Sequence, residues 1–162
     1  MDGTRKIGEF QVLSAIPGDF RLLGVDTYRF GLDDMNSMAN NSIFIAEANS
    51  FWIGTLLMGI GGFLLLWPGV AEAKFIWSKT AGLKYLTDIF NALKTMSKEY
   101  IDRHKIWRLQ LLVTEPLPDK FLRSARFEFE ARLQSLSPAG TDVIIYKIIT
   151  KKYLPDGGLK CH

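Results

Sequence analysis

The stretch from Gly59 to Trp77, GIGGFLLLWPGVAEAKFIW, constrains the fold more than any other part of the chain. Its Pro68-Gly69 pair stands between two apolar runs. That order suits a type II turn, because proline pre-sets the first central residue and glycine takes the positive φ of the second. Two antiparallel strands are expected, about Met58 to Trp67 and Ala71 to Ser78. The rival reading is a membrane span, since Ala48 to Ala71 carries no charged residue and is long enough to cross a bilayer as a helix. Against the span stand glycines at 54, 59, 61, 62 and 69 and a Pro-Gly pair near its end. Glu72 and Lys74 then alternate with Ala71, Ala73 and Phe75, which is a strand signature. No stable membrane span is expected.

At 162 residues, 48% of them hydrophobic, the chain can bury a substantial core in one domain. The expected division is an N-terminal arm over 1–9, a domain over 10–150 and a tail over 151–162. The net charge of +3 is modest and the basic residues are scattered, so no stripe exists for nucleic acid to follow and none is expected as a partner. Cys161 is the only cysteine, which rules out an internal disulfide and a cysteine metal cluster. An intracellular folding environment is the default. The opening MDGTRKIGEFQ has charge but no apolar core behind it, unlike a secretory signal.

Taken in order, Phe10 to Leu13 reads as a short strand, followed by a short helix capped by Asp19. Gly31 to Asn41 reads as a polar loop. Its Asp33 and Asp34 lack a His or third carboxylate at ligand spacing, so no metal site is expected. Asn41 or Ser42 is expected to cap a second helix to about Ser50, with a strand from Phe51 to Leu57. Beyond the hairpin, Leu83, Leu86, Ile89, Phe90, Leu93, Met96, Tyr100 and Ile101 recur at three and four residue spacing, predicting a long helix to about His104. Ile106 to Val113 reads as a strand buried on at least one face, and Asp119 as the cap of a short helix from Lys120 to Arg126. In the closing stretch Phe127, Phe129, Ala131 and Leu133 alternate with Glu128, Glu130, Arg132 and Gln134, predicting one wet face, before a turn and a last strand. The tryptophans at 52, 67, 77 and 107 fall at strand positions and are expected mostly in the core. No Gly-x-Ser-x-Gly elbow supports a hydrolase. The whole is an α/β (α+β) chain: a mixed, mostly antiparallel sheet with helices on both faces.

A Pro-Gly hairpin whose second strand leads into a long helix resembles the GNAT acyltransferase fold. The blocks GIGGFLLLWPGVAEAKFIWS and FLRSARFEFEARLQSLSPAGTDVIIYKI are similar to small GNAT-like proteins of tailed bacteriophages, the group that includes the small internal virion protein of short-tailed coliphages. The resemblance runs from about Phe10 to Ile149 and is topological outside the two blocks.

The resemblance implies a site. In GNAT enzymes the pantetheine lies along the fourth strand, and the acyl-CoA pyrophosphate rests on backbone amides of a glycine-rich loop where the next helix starts, a place of free N–H groups and positive dipole. The matching loop here is Lys79, Thr80, Ala81, Gly82, Leu83 and Lys84. It departs from the family motif: one glycine and two lysines stand in its place. Glu72 falls where family enzymes often keep a general base for the attacking amine. The family's asparagine and its proton-donating tyrosine fall at Glu115 and Leu122, and leucine cannot donate a proton, so the acid would be water or a residue elsewhere, such as Tyr146 or Tyr85.

Two functions follow. In the first, the chain is a structural or assembly protein of a tailed-phage particle with a degenerate acyl-CoA site, its partners other virion proteins, its place the virion or the host cytoplasm during infection. In the second, it is an active N-acetyltransferase moving acetyl from acetyl-CoA to a protein or small-molecule amine. The departures from the motif favour the first. Self-association is left open by both.

Overall fold

A computed structural model of the chain describes residues 5–23, 27–30, 45–78, 85–114, 116–137 and 140–155. In chain order these form β1 (Arg5–Ile7), β2 (Phe10–Ser14), α1 (Pro17–Leu22), β3 (Thr27–Phe30), β4 (Ile45–Ile53), β5 (Leu56–Trp67), β6 (Val70–Ser78), α2 (Leu86–His104), β7 (Arg108–Val113), α3 (Asp119–Ala125), β8 (Glu128–Leu133) and β9 (Val143–Ile149). The strands make one sheet in the order β1-β2-β4-β5-β6-β7-β9-β8, with β3 added against β6. Every described pairing is antiparallel except β6 with β7.

The central hairpin forms as its sequence predicts. Trp67 pairs with Val70 across Pro68-Gly69, and Gly69 has φ 80°, the positive value that the second central residue of a type II turn needs. The uncharged stretch therefore lies in β4, β5 and the start of β6 rather than in a spanning helix. No described helix is long and apolar enough to cross a membrane.

α2 lays Ile89, Phe90, Leu93, Met96, Tyr100 and Ile101 on one face of the sheet, as their spacing predicts. Opposite them β6 contributes Ala71, Ala73, Phe75 and Trp77, and Tyr100 stacks on Phe63 of β5 with centroids 4.1 Å apart and planes 12° from parallel. The helix ends at Lys105, in the left-handed region at φ 54°, whose N–H returns to the Ile101 carbonyl. The other face of β5 and β6 carries a smaller apolar cluster of Leu23, Ile60 and Ile76.

Several expectations are corrected. Residues 45–50, expected in a second helix, are the first part of β4, because the segment pairs along β5 from Ile45 onward and Asn49 and Ser50 pair with β2 on the other edge. Pairing with β5 overrides the helical leaning of Ala46-Glu47-Ala48. The expected strand from Phe51 to Leu57 is divided by Gly54-Thr55, a two-residue hairpin with Gly54 at φ 58°. Arg5–Ile7, inside the stretch read as an arm, pairs with β2. Asp19 is not the cap of α1 but sits in its first turn, where its carboxylate accepts the Ile16 N–H at 3.1 Å. In β8 a bulge between Phe129 and Ala131 breaks the expected alternation: Phe129 stands opposite Tyr146, whereas Ala131 and Leu133 stand opposite Ile145 and Val143, which point to the other face, and Phe129 itself is 61% exposed. Trp77 is core, but Trp67 is 57% exposed. Asp33, Asp34, Asn41, Ser42, Leu83, Glu115 and Cys161 lie outside the described residues.

Candidate functional site

The site is built where two parallel strands part. β6 and β7 are joined by the crossover through α2, and they pair for three positions only: Val70↔Arg108, Ala71↔Leu109 and Glu72↔Gln110. Beyond Glu72, β6 continues to Ser78 and β7 to Val113 without pairing to each other. A wedge thus opens at the carboxyl ends of the parallel pair, the place where open sheets of mixed helix and strand take ligands.

Glu72 stands at the point of parting. Alternation along β6 turns Glu72, Lys74, Ile76 and Ser78 away from α2, while their neighbours enter the main core. Glu72 is 8% and Lys74 6% exposed, and the Lys74 ammonium lies 3.0 Å from the Glu72 carboxylate. Across β5, Lys74 faces Gly62 and Glu72 faces Leu64. A desolvated pair of this kind holds Glu72 in place, since losing Lys74 would leave its carboxylate buried without that counter-charge. The sequence reading picked out Glu72 and missed its partner, although the Glu-x-Lys spacing on a strand puts both on one face.

A polar row continues from Glu72 across the sheet. Gln110 is its neighbour on β7, Lys147 is next on β9, and Glu128 follows on β8. On the same face the β8 bulge brings in Glu130, whose carboxylate accepts hydrogen bonds from Arg108 at 2.5 and 3.0 Å and from Lys147 at 3.1 Å. The Arg108 hydrogen bonds are the largest cause holding the Glu130 carboxyl below its ordinary range, with Lys147 adding to them. The three charges form a compact network beside the row.

Of the two tyrosines considered as acids, Tyr146 is buried on the α2 side of β9, and its hydroxyl accepts the Leu117 N–H at 3.4 Å just beyond β7. Tyr85 immediately precedes α2 and packs against Phe10 with centroids 6.4 Å apart. Leu122 packs on the core from α3. Lys79, Thr80, Ala81, Gly82, Leu83 and Lys84 lie outside the described residues, between the end of β6 and Tyr85. Among the described residues no three His, Cys, Asp or Glu side chains gather as a metal site.

What sequence reasoning did not foresee is β3. It pairs antiparallel with β6 as Thr27↔Ser78, Tyr28↔Trp77, Arg29↔Ile76 and Phe30↔Phe75. All of those β6 residues but Ser78 already have partners on β5, so β3 takes the other edge, the one that β7 leaves at Glu72. It also lies beside β7. The wedge is occupied by the chain's own backbone.

No protein-family model and no curated protein matches the sequence. Solved structures do match the fold. A ribosomal L7/L12 α-N-protein acetyltransferase in complex with coenzyme A is 12% identical, with a TM-score of 0.64 over 88% of this chain and 94% of that one. An acetyltransferase of the GNAT family from Bacillus anthracis is 14% identical, with a TM-score of 0.64 over 90% of this chain and 98% of that one. A variant of the spermidine N-acetyltransferase from Vibrio cholerae is 15% identical, with a TM-score of 0.61 over 88% and 96%. At such identities the likeness is one of fold, and the fold of this chain is that of the GNAT acetyltransferases.

Proposed function

We propose that the chain is a GNAT-fold N-acyltransferase that carries an acetyl group from acetyl-CoA to an amine on a protein or small molecule. The observation that carries this reading is the parting of β6 from β7 after Glu72↔Gln110, which makes a wedge at the carboxyl ends of two parallel strands. An extended chain bearing amides can join such an edge as an added strand. The similar structure solved with coenzyme A supports the choice of cofactor.

Lys79, Thr80, Ala81, Gly82, Leu83 and Lys84 are the proposed cradle for the pyrophosphate, with backbone amides supplying geometry and the lysines charge. Glu72 is the proposed base for the amine, held at the wedge by Lys74. Tyr146 is the proposed proton donor: its hydroxyl accepts from Leu117 and so keeps its own O–H to give. With β3 in place an acyl-CoA does not fit along Phe75–Ser78, because that edge is taken.

The test is a calorimetric titration with coenzyme A. Saturable heat that is lost in Gly82→Asp, which sets a carboxylate against the pyrophosphate, supports the reading. No heat at millimolar concentration, in the wild type or in protein whose β3 has been released, removes it.

The occupied edge favours a second reading, in which the fold serves only as a building block of a tailed-phage particle. Its partners are then other virion proteins, and its place is the virion or the host cytoplasm during infection. In that case Gly82→Asp leaves particle assembly intact and no form of the protein takes up coenzyme A.

A further inference from the structure

Resting on the acyl-CoA reading above, we propose that β3 is an internal gate: Thr27–Phe30 holds the free edge of β6 as a surrogate strand, and acyl-CoA binds only when that strand leaves. The register carries the argument. β7 covers Val70–Glu72 of this edge and β3 covers Phe75–Ser78, so the chain's own backbone occupies the part of the edge that the diverging β7 abandons. Backbone groups on a strand edge make one set of hydrogen bonds at a time. A ligand that lies along Phe75–Ser78 through its amides and a strand that pairs with the same residues are therefore exclusive.

The strand is built to be displaced. Among the described residues it has four positions and pairs with one strand, β6. Ordering each residue costs about as much as one net backbone hydrogen bond returns, so a short strand held on one edge sits near balance. By contrast β6 itself is paired by β5 from Val70 to Trp77 and stays in place when β3 goes. A ligand that needs the open form then shows an affinity reduced by the fraction of molecules that are open.

A reversible lock tests this in one molecule. Thr27→Cys with Ser78→Cys joins residues that are cross-strand partners, at a Cα separation that antiparallel neighbours and disulfides share. Cys161→Ser removes the only native thiol. The expected result is that the oxidised protein, its cross-link confirmed by mass, binds coenzyme A at least about 10-fold more weakly than the same protein after reduction. A companion measurement uses the wild type: coenzyme A should speed hydrogen exchange at the amides of 27–30 while those of 75–78 stay protected. Equal affinity in the oxidised and reduced forms, or unchanged exchange at 27–30 when coenzyme A is bound, overturns the gate and leaves the acyltransferase reading standing. If neither form, nor Arg29→Pro with β3 shown by exchange to be released, binds coenzyme A, both fall together.

Discussion

The backbone carbonyl of Gly69 accepts the N–H of Trp107 at 2.8 Å, and the Trp107 indole closes over the same glycine. Arg108 donates to that carbonyl as well, at 3.1 Å, so the tip of the central hairpin is tied to the first residue of β7. This tie sets the parallel register that begins at Val70↔Arg108 and ends where the wedge opens. Gly69 is held at φ 80°, and a Cβ there would run into the indole, with Nε1 only 2.6 Å away. Gly69→Val is expected to destabilise the protein by about 1–3 kcal/mol from the backbone alone, with the clash in addition. Urea denaturation checks it, and an unchanged midpoint would remove both the turn type and the tie from the account. Adding Trp107→Ala should recover the part due to the clash but not the part due to φ.

The Glu72–Lys74 pair makes a different prediction. Both groups are out of water and lie 3.0 Å apart, so removing either leaves a buried charge. Lys74→Met alone is expected to cost about 3–5 kcal/mol. Lys74→Met together with Glu72→Gln should lie closer to the wild type than Lys74→Met does, because the stranded carboxylate is gone. A double-mutant cycle by chemical denaturation gives the coupling; strictly additive losses would mean that the pair does not act as a unit.

Glu130 gives the acid side of the stability curve a named contributor. Hydrogen bonds from Arg108, then from Lys147, hold its carboxyl below the ordinary glutamate range in the folded chain. The folded value is the lower one, so the contribution is fully present above the unfolded pKa and is lost as pH falls from there through the folded value. Glu130→Gln should therefore cost stability at neutral pH and flatten its fall below about pH 4.5. Melting temperatures across that window decide it. Parallel curves for the variant and the wild type would show that the network contributes nothing.

The residues that were legible in sequence are those whose pattern is local. Pro68-Gly69 announced the hairpin, and the spacing from Ile89 to Ile101 announced α2. Glu72 and Lys74 announced which face of β6 was polar by alternation alone. The misses are long-range. β4 carries Ala46-Glu47-Ala48, which leans helical, and becomes a strand there because β5 pairs along it. β3 has the β-rich Thr27-Tyr28-Arg29-Phe30, a signal that composition offers, yet nothing near it in sequence says that it will meet Phe75–Ser78. The resemblance to the GNAT fold pointed to β6 as the strand that bears the site; neither the wedge beside it nor the strand that fills it was legible.

Two of the glycines that set the uncharged stretch apart from a membrane helix are places of close packing. Gly59 and Gly61 sit opposite Trp77 and Phe75 on the α2 side of β5, and the two rings lie over the bare backbone. A Cβ on Gly61 would come within 2.6 Å of Phe75 Cε1, whereas one on Gly59 would meet Trp77 Cδ2 at 2.7 Å and the Ile76 carbonyl oxygen at 2.8 Å. A ring can tilt away from a methyl group, but a carbonyl inside a sheet cannot move without its strand. Gly61→Ala is therefore expected to cost about 1–3 kcal/mol as overpacking, and Gly59→Ala more. Phe75→Leu should relieve Gly61→Ala in part and leave Gly59→Ala unchanged. Thermal melts of the single and paired variants measure this. If Gly59→Ala proves no worse than Gly61→Ala, the backbone contact is not what limits that site. The outcome bears on the gate too, because the Ile76 backbone, whose carbonyl lies near Gly59, is also the register partner of Arg29 across the other edge of β6.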